Sequence, residues 1–128
     1  MDPKTLRFAK THEWVHVDGD TATVGISDFA VKELTDIVHL EFPQVGQKVA
    51  QGETFGEIES VKAVSDLYAP IAGEVVEANT GLEDDPTLLA DDAYGAGWIV
   101  KLKVDGGTDN PDLMDFDAYQ AFCSSESH

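Results

Sequence analysis

HLEFPQVGQKV, residues His39 to Val49, lays over DLYAPIAGEVV, residues Asp66 to Val76, so that Leu40/Leu67, Pro43/Pro70, Gly46/Gly73 and Val49/Val76 coincide. Ile37 to Phe42 alternates as a strand, Pro43 stops it, and Val45-Gly46 makes a turn. Ser65 to Tyr68 and Gly73 to Ala78 read in the same way around Pro70, as strand, break and strand. This reading predicts two similar units packed about a pseudo-twofold axis. The connection between them holds ESVKAVSD, Glu59 to Asp66, with Lys62 at a projecting hairpin tip.

Outward from this repeat, the chain continues in short strands. Glu13, Val15 and Val17 alternate with His12, Trp14 and His16, and Asp18-Gly19-Asp20 turns the chain into Thr21–Ile26. Ser27 is placed to cap a short helix running to about Leu34, with Asp28 in its first turn. Glu53 to Ser60 is strand-like, and Asn79-Thr80-Gly81 closes the strand from Gly73 to Ala78. Leu82 to Gly97 is acidic and turn-rich, with one helical turn expected at Thr87–Leu89. Trp98, Val100, Leu102 and Val104 alternate with Lys101 and Lys103 as a last strand, and Asp112 to Cys123 reads as a closing helix with Leu113, Phe116, Tyr119 and Phe122 as apolar contacts. Many short strands between turn residues predict an all-β barrel or sandwich decorated by small helices.

The 128 residues suit one domain, and 42% apolar residues suffice for a core without a disulfide or metal staple. Cys123 is the single cysteine, which fits a reducing compartment, and MDPKTLRFAKTHEWV carries no apolar secretory stretch, so the chain reads as cytoplasmic. No apolar run approaches the roughly 18 residues of a membrane span. Eight basic residues against 25 acidic ones leave a net charge of −17. That balance excludes binding to nucleic acid phosphates and to anionic membranes. It fits either solubility with steering toward basic partners, or a salt-rich cytoplasm in which the Debye length shrinks to a few Å.

His12-Glu13-Trp14-Val15-His16 matches the H-E-x-x-H zinc-hydrolase pattern, which works on a helix where both histidines meet one metal. In a strand, histidines four residues apart stand about 13 Å apart at roughly 3.3 Å per residue, too far for one zinc. Cys123 has no histidine partner nearby in sequence, and Gly95-Ala96-Gly97 precedes a strand rather than a helix. Lys62 is left. Glu59 and Asp66 favour its charged form, which makes it a poor Schiff-base amine. The residues themselves leave it either an ordinary exposed lysine or a handle for acylation.

His12-Glu13-Trp14-Val15, Val24-Gly25-Ile26-Ser27-Asp28, Glu59-Ser60-Val61-Lys62-Ala63, Ala69-Pro70-Ile71-Ala72-Gly73-Glu74-Val75-Val76-Glu77-Ala78-Asn79 and Tyr94-Gly95-Ala96-Gly97-Trp98 together resemble the H protein family of the glycine cleavage system. The likeness runs in order from about Leu6 to Phe122. It implies a barrel-sandwich hybrid with a short helix near 28–34 and a C-terminal helix near 112–123. It also implies one lipoyl-carrier domain over 1–128, with its core at about 20–104.

The resemblance further implies a carrier rather than an enzyme, with lipoate held as N6-lipoyllysine at Lys62 inside a modification motif of Glu59, Ser60, Val61, Ala63 and Asp66. The partners implied are glycine decarboxylase, which loads an aminomethyl group, an aminomethyltransferase that passes it on, dihydrolipoyl dehydrogenase and a lipoate-attaching enzyme. The carrier itself is expected to be a monomer. An H-like protein relaying lipoyl groups to other dehydrogenase complexes is the alternative role, and a zinc hydrolase using His12, Glu13 and His16 a distant one. Glu13 and Asp66 fall at positions suited to receive the ammonium of a loaded arm. The chain departs from the family pattern at Lys32-Glu33-Leu34, where some members have histidine, and at Ala90 and Asp92-Ala93-Tyr94.

Overall fold

The alternation from Glu13 onward drives a hairpin whose two strands pair residue for residue, from Glu13↔Ile26 to Asp18↔Thr21. Gly19 makes the reversal at φ 66°, a conformation that costs glycine nothing. The computed structural model describes residues 6–9, 11–34, 37–61, 64–85, 89, 92, 94–95, 97–104 and 113–126. Its elements in chain order are β1 (Arg7–Phe8), β2 (Glu13–Asp18), β3 (Thr21–Ile26), α1 (Asp28–Leu34), β4 (Ile37–Glu41), β5 (Lys48–Val49), β6 (Thr54–Ser60), β7 (Val64–Tyr68), β8 (Gly73–Ala78), α2 (Gly81–Asp84), β9 (Val100–Lys103) and α3 (Phe116–Glu126).

The strands form two antiparallel sheets, one ordered β1-β2-β3-β9-β8-β5 and one ordered β4-β6-β7. Between them lies one apolar core. The small sheet contributes Leu40, Ile58 and Leu67, and the large sheet Val15, Ala22, Val24, Val75, Val100 and Leu102, all buried. Two sheets facing each other without closing into a barrel make a barrel-sandwich hybrid, the expected fold. No helix among the described residues is long and apolar enough to cross a membrane.

The two repeat-like units meet through β5 and β8, with Lys48 opposite Glu74 and Val49 opposite Gly73. The turn of the first unit is tied to the second, since Gly46 N–H donates to Val75 O at 2.7 Å and Val75 N–H donates to Gln47 O at 2.8 Å. The coincident glycines nevertheless have different causes. Gly46 adopts φ 93° in its turn, whereas a Cβ at Gly73 would stand 2.9 Å from the carbonyl oxygen of Lys103 on β9.

Both helices flanking the sheets obey local signals. Ser27 caps α1 as expected, its Oγ accepting the Ala30 N–H at 3.2 Å. The closing helix departs from its expected start at Asp112, which itself lies outside the described residues. It begins at Phe116, because Met114 is extended and exchanges both backbone hydrogen bonds with Phe8 at 2.7 Å. Asp115 then caps the helix, its Oδ1 accepting the Ala118 N–H at 2.8 Å. The short helix α2 at Gly81–Asp84 is a further departure, while Thr87 and Leu88 of the turn expected at Thr87–Leu89 lie outside the described residues.

Helix α3 covers the outer face of the first hairpin. Leu6, Phe8, Trp14, Tyr119 and Cys123 form a second buried cluster there, in which the rings of Phe8 and Tyr119 stack at 4.4 Å. Trp14 therefore points to α3 while Val15 points to the main core, and the start of β2 is buried on both faces. Trp14 sits opposite Gly25, where a Cβ would fall 2.5 Å from indole carbons. Gly25→Ala is expected to cost about 1–3 kcal/mol through overpacking, read as a lowered midpoint in chemical denaturation with an unchanged slope.

The Tyr119 hydroxyl fastens this layer to α1. It lies 2.5 Å from Ser27 Oγ and 2.7 Å from His12 Nδ1, and Tyr94 donates its hydroxyl proton to Asp28 Oδ1 at 2.8 Å. Burial pushes the pKa of both phenols above the ordinary value, so both keep their protons. Tyr119→Phe removes two hydrogen bonds inside a buried layer and is expected to cost about 1–3 kcal/mol, measured as a fall in the denaturation midpoint.

Candidate functional site

Strands β6 and β7 pair antiparallel, and their last matched residues are Glu59 and Val64. The chain therefore reverses across residues 60–63. Lys62 and Ala63 fall in that reversal by sequence and lie outside the described residues. Of their neighbours, Ser60 is buried and Val61 is 70% exposed. Glu59 is exposed on β6, opposite His39 of β4 and Val64 of β7.

The next outward row across the small sheet is made of carboxylates. Glu57 faces Glu41 on one side and Asp66 on the other. Like charges directly opposite in a ladder repel. The Glu57 carboxyl responds with a raised pKa, first through a hydrogen bond with the Glu41 carboxyl, then through loss of water and through repulsion from Glu41 and Asp66. The row opens on a cleft of about 480 Å³, whose apolar part is Phe42, Pro43 and Phe55. Such a cleft matches a slender group with an apolar body and a cationic end.

The two residues expected to receive a loaded arm are placed differently. Asp66 is exposed and lines the cleft. Glu13 is fully buried, its Oε2 accepting the Tyr68 N–H at 3.1 Å and its Oε1 accepting the Thr11 hydroxyl proton. It is thus a tie between β2 of the large sheet and β7 of the small one, and it does not line the cleft. Burial pushes its pKa up from 4.5 to about 7, against the lowering effect of its hydrogen bonds.

The zinc reading fails on backbone shape. From Glu13 onward the H-E-x-x-H segment is a strand, with Glu13 turned inward to Tyr68 and His12 bound to Tyr119. No group of three residues suited to hold a metal occurs among the described residues. The side chains of Lys32, Glu33 and Leu34 lie outside the described residues.

Glu41 and Glu57 were not legible as members of a site. Their only sequence signal is alternation, Glu57 with Glu59 and Glu41 with His39, which puts them outward without saying that they share a row. Register alone brings them to Asp66.

The glycine cleavage H-protein family matches residues 6–126. A glycine cleavage system H protein from Rhodopirellula baltica is 56% identical over 128 residues, covering 96% of this chain and 96% of the relative. One from Rubrobacter xylanophilus is 50% identical over 117 residues, covering 91% and 90%. Among solved structures, a glycine cleavage system H protein from Mycobacterium marinum superposes with a TM-score of 0.85 at 38% identity, covering 93% of this chain and 96% of that one. With its fold and nearly its whole length matched, the chain belongs to the glycine cleavage H-protein family.

Proposed function

We propose that this chain is the lipoyl carrier of a glycine cleavage system, with lipoate amide-linked to Lys62. One observation carries the reading: a two-stranded hairpin reverses between Glu59 and Val64, and two residues back along the same two strands begins a cleft lined by three carboxylates. Once attached, the lipoyl group supplies a dithiolane that cycles between disulfide and dithiol and accepts the one-carbon unit. The chain's part is mechanical and electrostatic. The paired strands hold the tether, and Asp66 with Glu41 and Glu57 gives a cationic cargo a row of carboxylates to pair with. Glu13 supports that wall by bonding Tyr68, two residues beyond Asp66, and meets the cargo itself only if it releases Tyr68 or Thr11.

The partners that follow are glycine decarboxylase, the aminomethyltransferase, dihydrolipoyl dehydrogenase and the enzyme that attaches lipoate. A tether serves all of them because it raises the local concentration of the arm at each docked site without new contacts. We assign the role to the chain as one unit, residues 1–128, with a lipoyl-type core at about 20–104.

The test is the intact mass of protein from lipoate-supplied cells, followed by reconstitution with the decarboxylase and the aminomethyltransferase. A lipoyl adduct and glycine-dependent release of carbon dioxide are expected. A protein that gains lipoate but cannot be loaded from glycine would favour the lipoyl-relay role. Absence of any adduct would remove the carrier reading.

A further inference from the structure

Six large apolar side chains stand exposed among the described residues, and three of them surround the reversal that contains Lys62. Val61 is 70% exposed at the end of β6, Val64 is 57% exposed at the start of β7, and Val38 is 53% exposed on β4. Single exposed valines are ordinary; three gathered at one end of a sheet, from β4, from β7 and from the residue just past β6, are not.

Val38 owes its exposure to a break in register. Ile37 pairs with Ser60 and His39 with Glu59, so Val38 is an extra residue in β4 with no partner on β6. A bulge gives up ladder pairing and re-aims the side chain that it frees. Here Val38 and Val64 flank β6 on either side, and Val61 stands at its tip. Glu59 and the row of Glu57 and Asp66 border this patch, on a chain of net charge −17.

We propose that Val38, Val61 and Val64 form the docking knob for the enzyme that acylates Lys62, which would present an apolar socket rimmed by basic residues. This rests on Lys62 being the lipoylated residue. Reach decides between partners. An enzyme acting on the dithiolane works at the far end of a long arm and need not touch residues 61 and 64. An enzyme joining the acyl group to the amine must come within one lysine side chain of the backbone, and there Val61 and Val64 necessarily face it. The charge of the border selects a basic rim, and the apolar centre supplies the grip.

The step itself balances simply. The Lys62 ammonium gives up two protons, its nitrogen bonds to the carbonyl carbon of lipoyl adenylate, and the bond from that carbon to the phosphate oxygen breaks to release AMP. No electrons are exchanged, and the knob has no part in this chemistry beyond holding the amine in place.

The experiment uses the unmodified full-length chain, lipoate, ATP and a purified lipoate–protein ligase, with the rate read by intact mass. Val38→Thr, Val61→Thr and Val64→Thr keep shape and strand propensity while making each site polar. Each is expected to lower kcat/KM severalfold, and the three together roughly tenfold or more, through KM rather than kcat. Val45→Thr, an equally exposed valine beyond the other end of β4, should leave the rate unchanged. Val61 has little packing to lose, so its variant carries the test alone if the triple variant folds poorly. A triple variant modified at the wild-type kcat/KM, on a wild-type chain that is modified at Lys62, overturns the knob. So does unchanged attachment with slowed loading from glycine, which would give the patch to another partner. A wild-type chain never modified at Lys62 overturns the reading underneath and the knob with it.

Discussion

Lys62→Arg is expected to carry no lipoyl adduct and to reduce glycine-dependent turnover in the reconstituted system to background. Arginine preserves the positive charge and nearly the length, so the hairpin loses little. Its guanidinium stays protonated and delocalised at every working pH and cannot serve as an acyl acceptor. Stability should remain within about 0.5 kcal/mol of wild type, because arginine keeps the charge and a similar stem. Wild type also carries a signature that the variant lacks. Acylation turns an ammonium into a neutral amide, so the net charge passes from −17 to −17 − 1 = −18, visible as a shift toward the anode on a native gel. An arginine variant that gains the adduct, or turns over glycine as well as wild type does, would show that Lys62 is not the attachment point.

Glu13→Gln is expected to flatten the pH dependence of stability and to stabilise the protein above neutrality. The folded-state pKa of Glu13 stands at about 7 against 4.5 in the unfolded chain, with burial as the main cause. Between those values the folded protein binds more protons than the unfolded chain, so the Glu13 contribution to stability falls as pH rises. It is fully present below pH 4.5 and fully lost above about pH 7. A shift of this size corresponds to something on the order of 3 kcal/mol. Glutamine cannot ionise and still offers an acceptor to either Tyr68 N–H or the Thr11 hydroxyl. Denaturation midpoints across pH 4–8 should therefore slope downward for wild type relative to the variant. Parallel curves would mean that Glu13 ionises without penalty where it sits.

The first hairpin, the capped helix from Asp28 to Leu34 and the break at Pro43 were legible because their causes are local. Alternation sets a strand, Ser27 sets a cap, and proline ends a ladder. The closing helix was misjudged at its start for a reason no local pattern contains. Residues 113–115 have the composition of a helix entrance, yet Met114 is taken by the unpaired edge of β1, and pairing with Phe8 satisfies backbone groups that the helix would otherwise have used. Helix α2 had no signal to find, since Thr80 makes no side-chain cap.

The candidate site divides along the same line. Its lysine, its flanking motif and its place between two strand-turn-strand units were present in the order of residues, because a tether needs only a hairpin and a reactive amine. Glu13 was expected, with Asp66, to receive the ammonium of a loaded arm. Only packing revealed it as a buried carboxyl joining the two sheets, since its partner Tyr68 on β7 arrives from far along the chain. The row of Glu41, Glu57 and Asp66, and the grouping of Val38 with Val61 and Val64, likewise wait on register. Alternation tells each strand which side chains face outward, but a one-residue slip between strands would give every one of them a different neighbour. The chain's order alone therefore supplied the candidate lysine and its motif, while the tertiary structure decided which carboxylates share a row and which valines stand at the same end of the small sheet, because those are relations between strands and not within them.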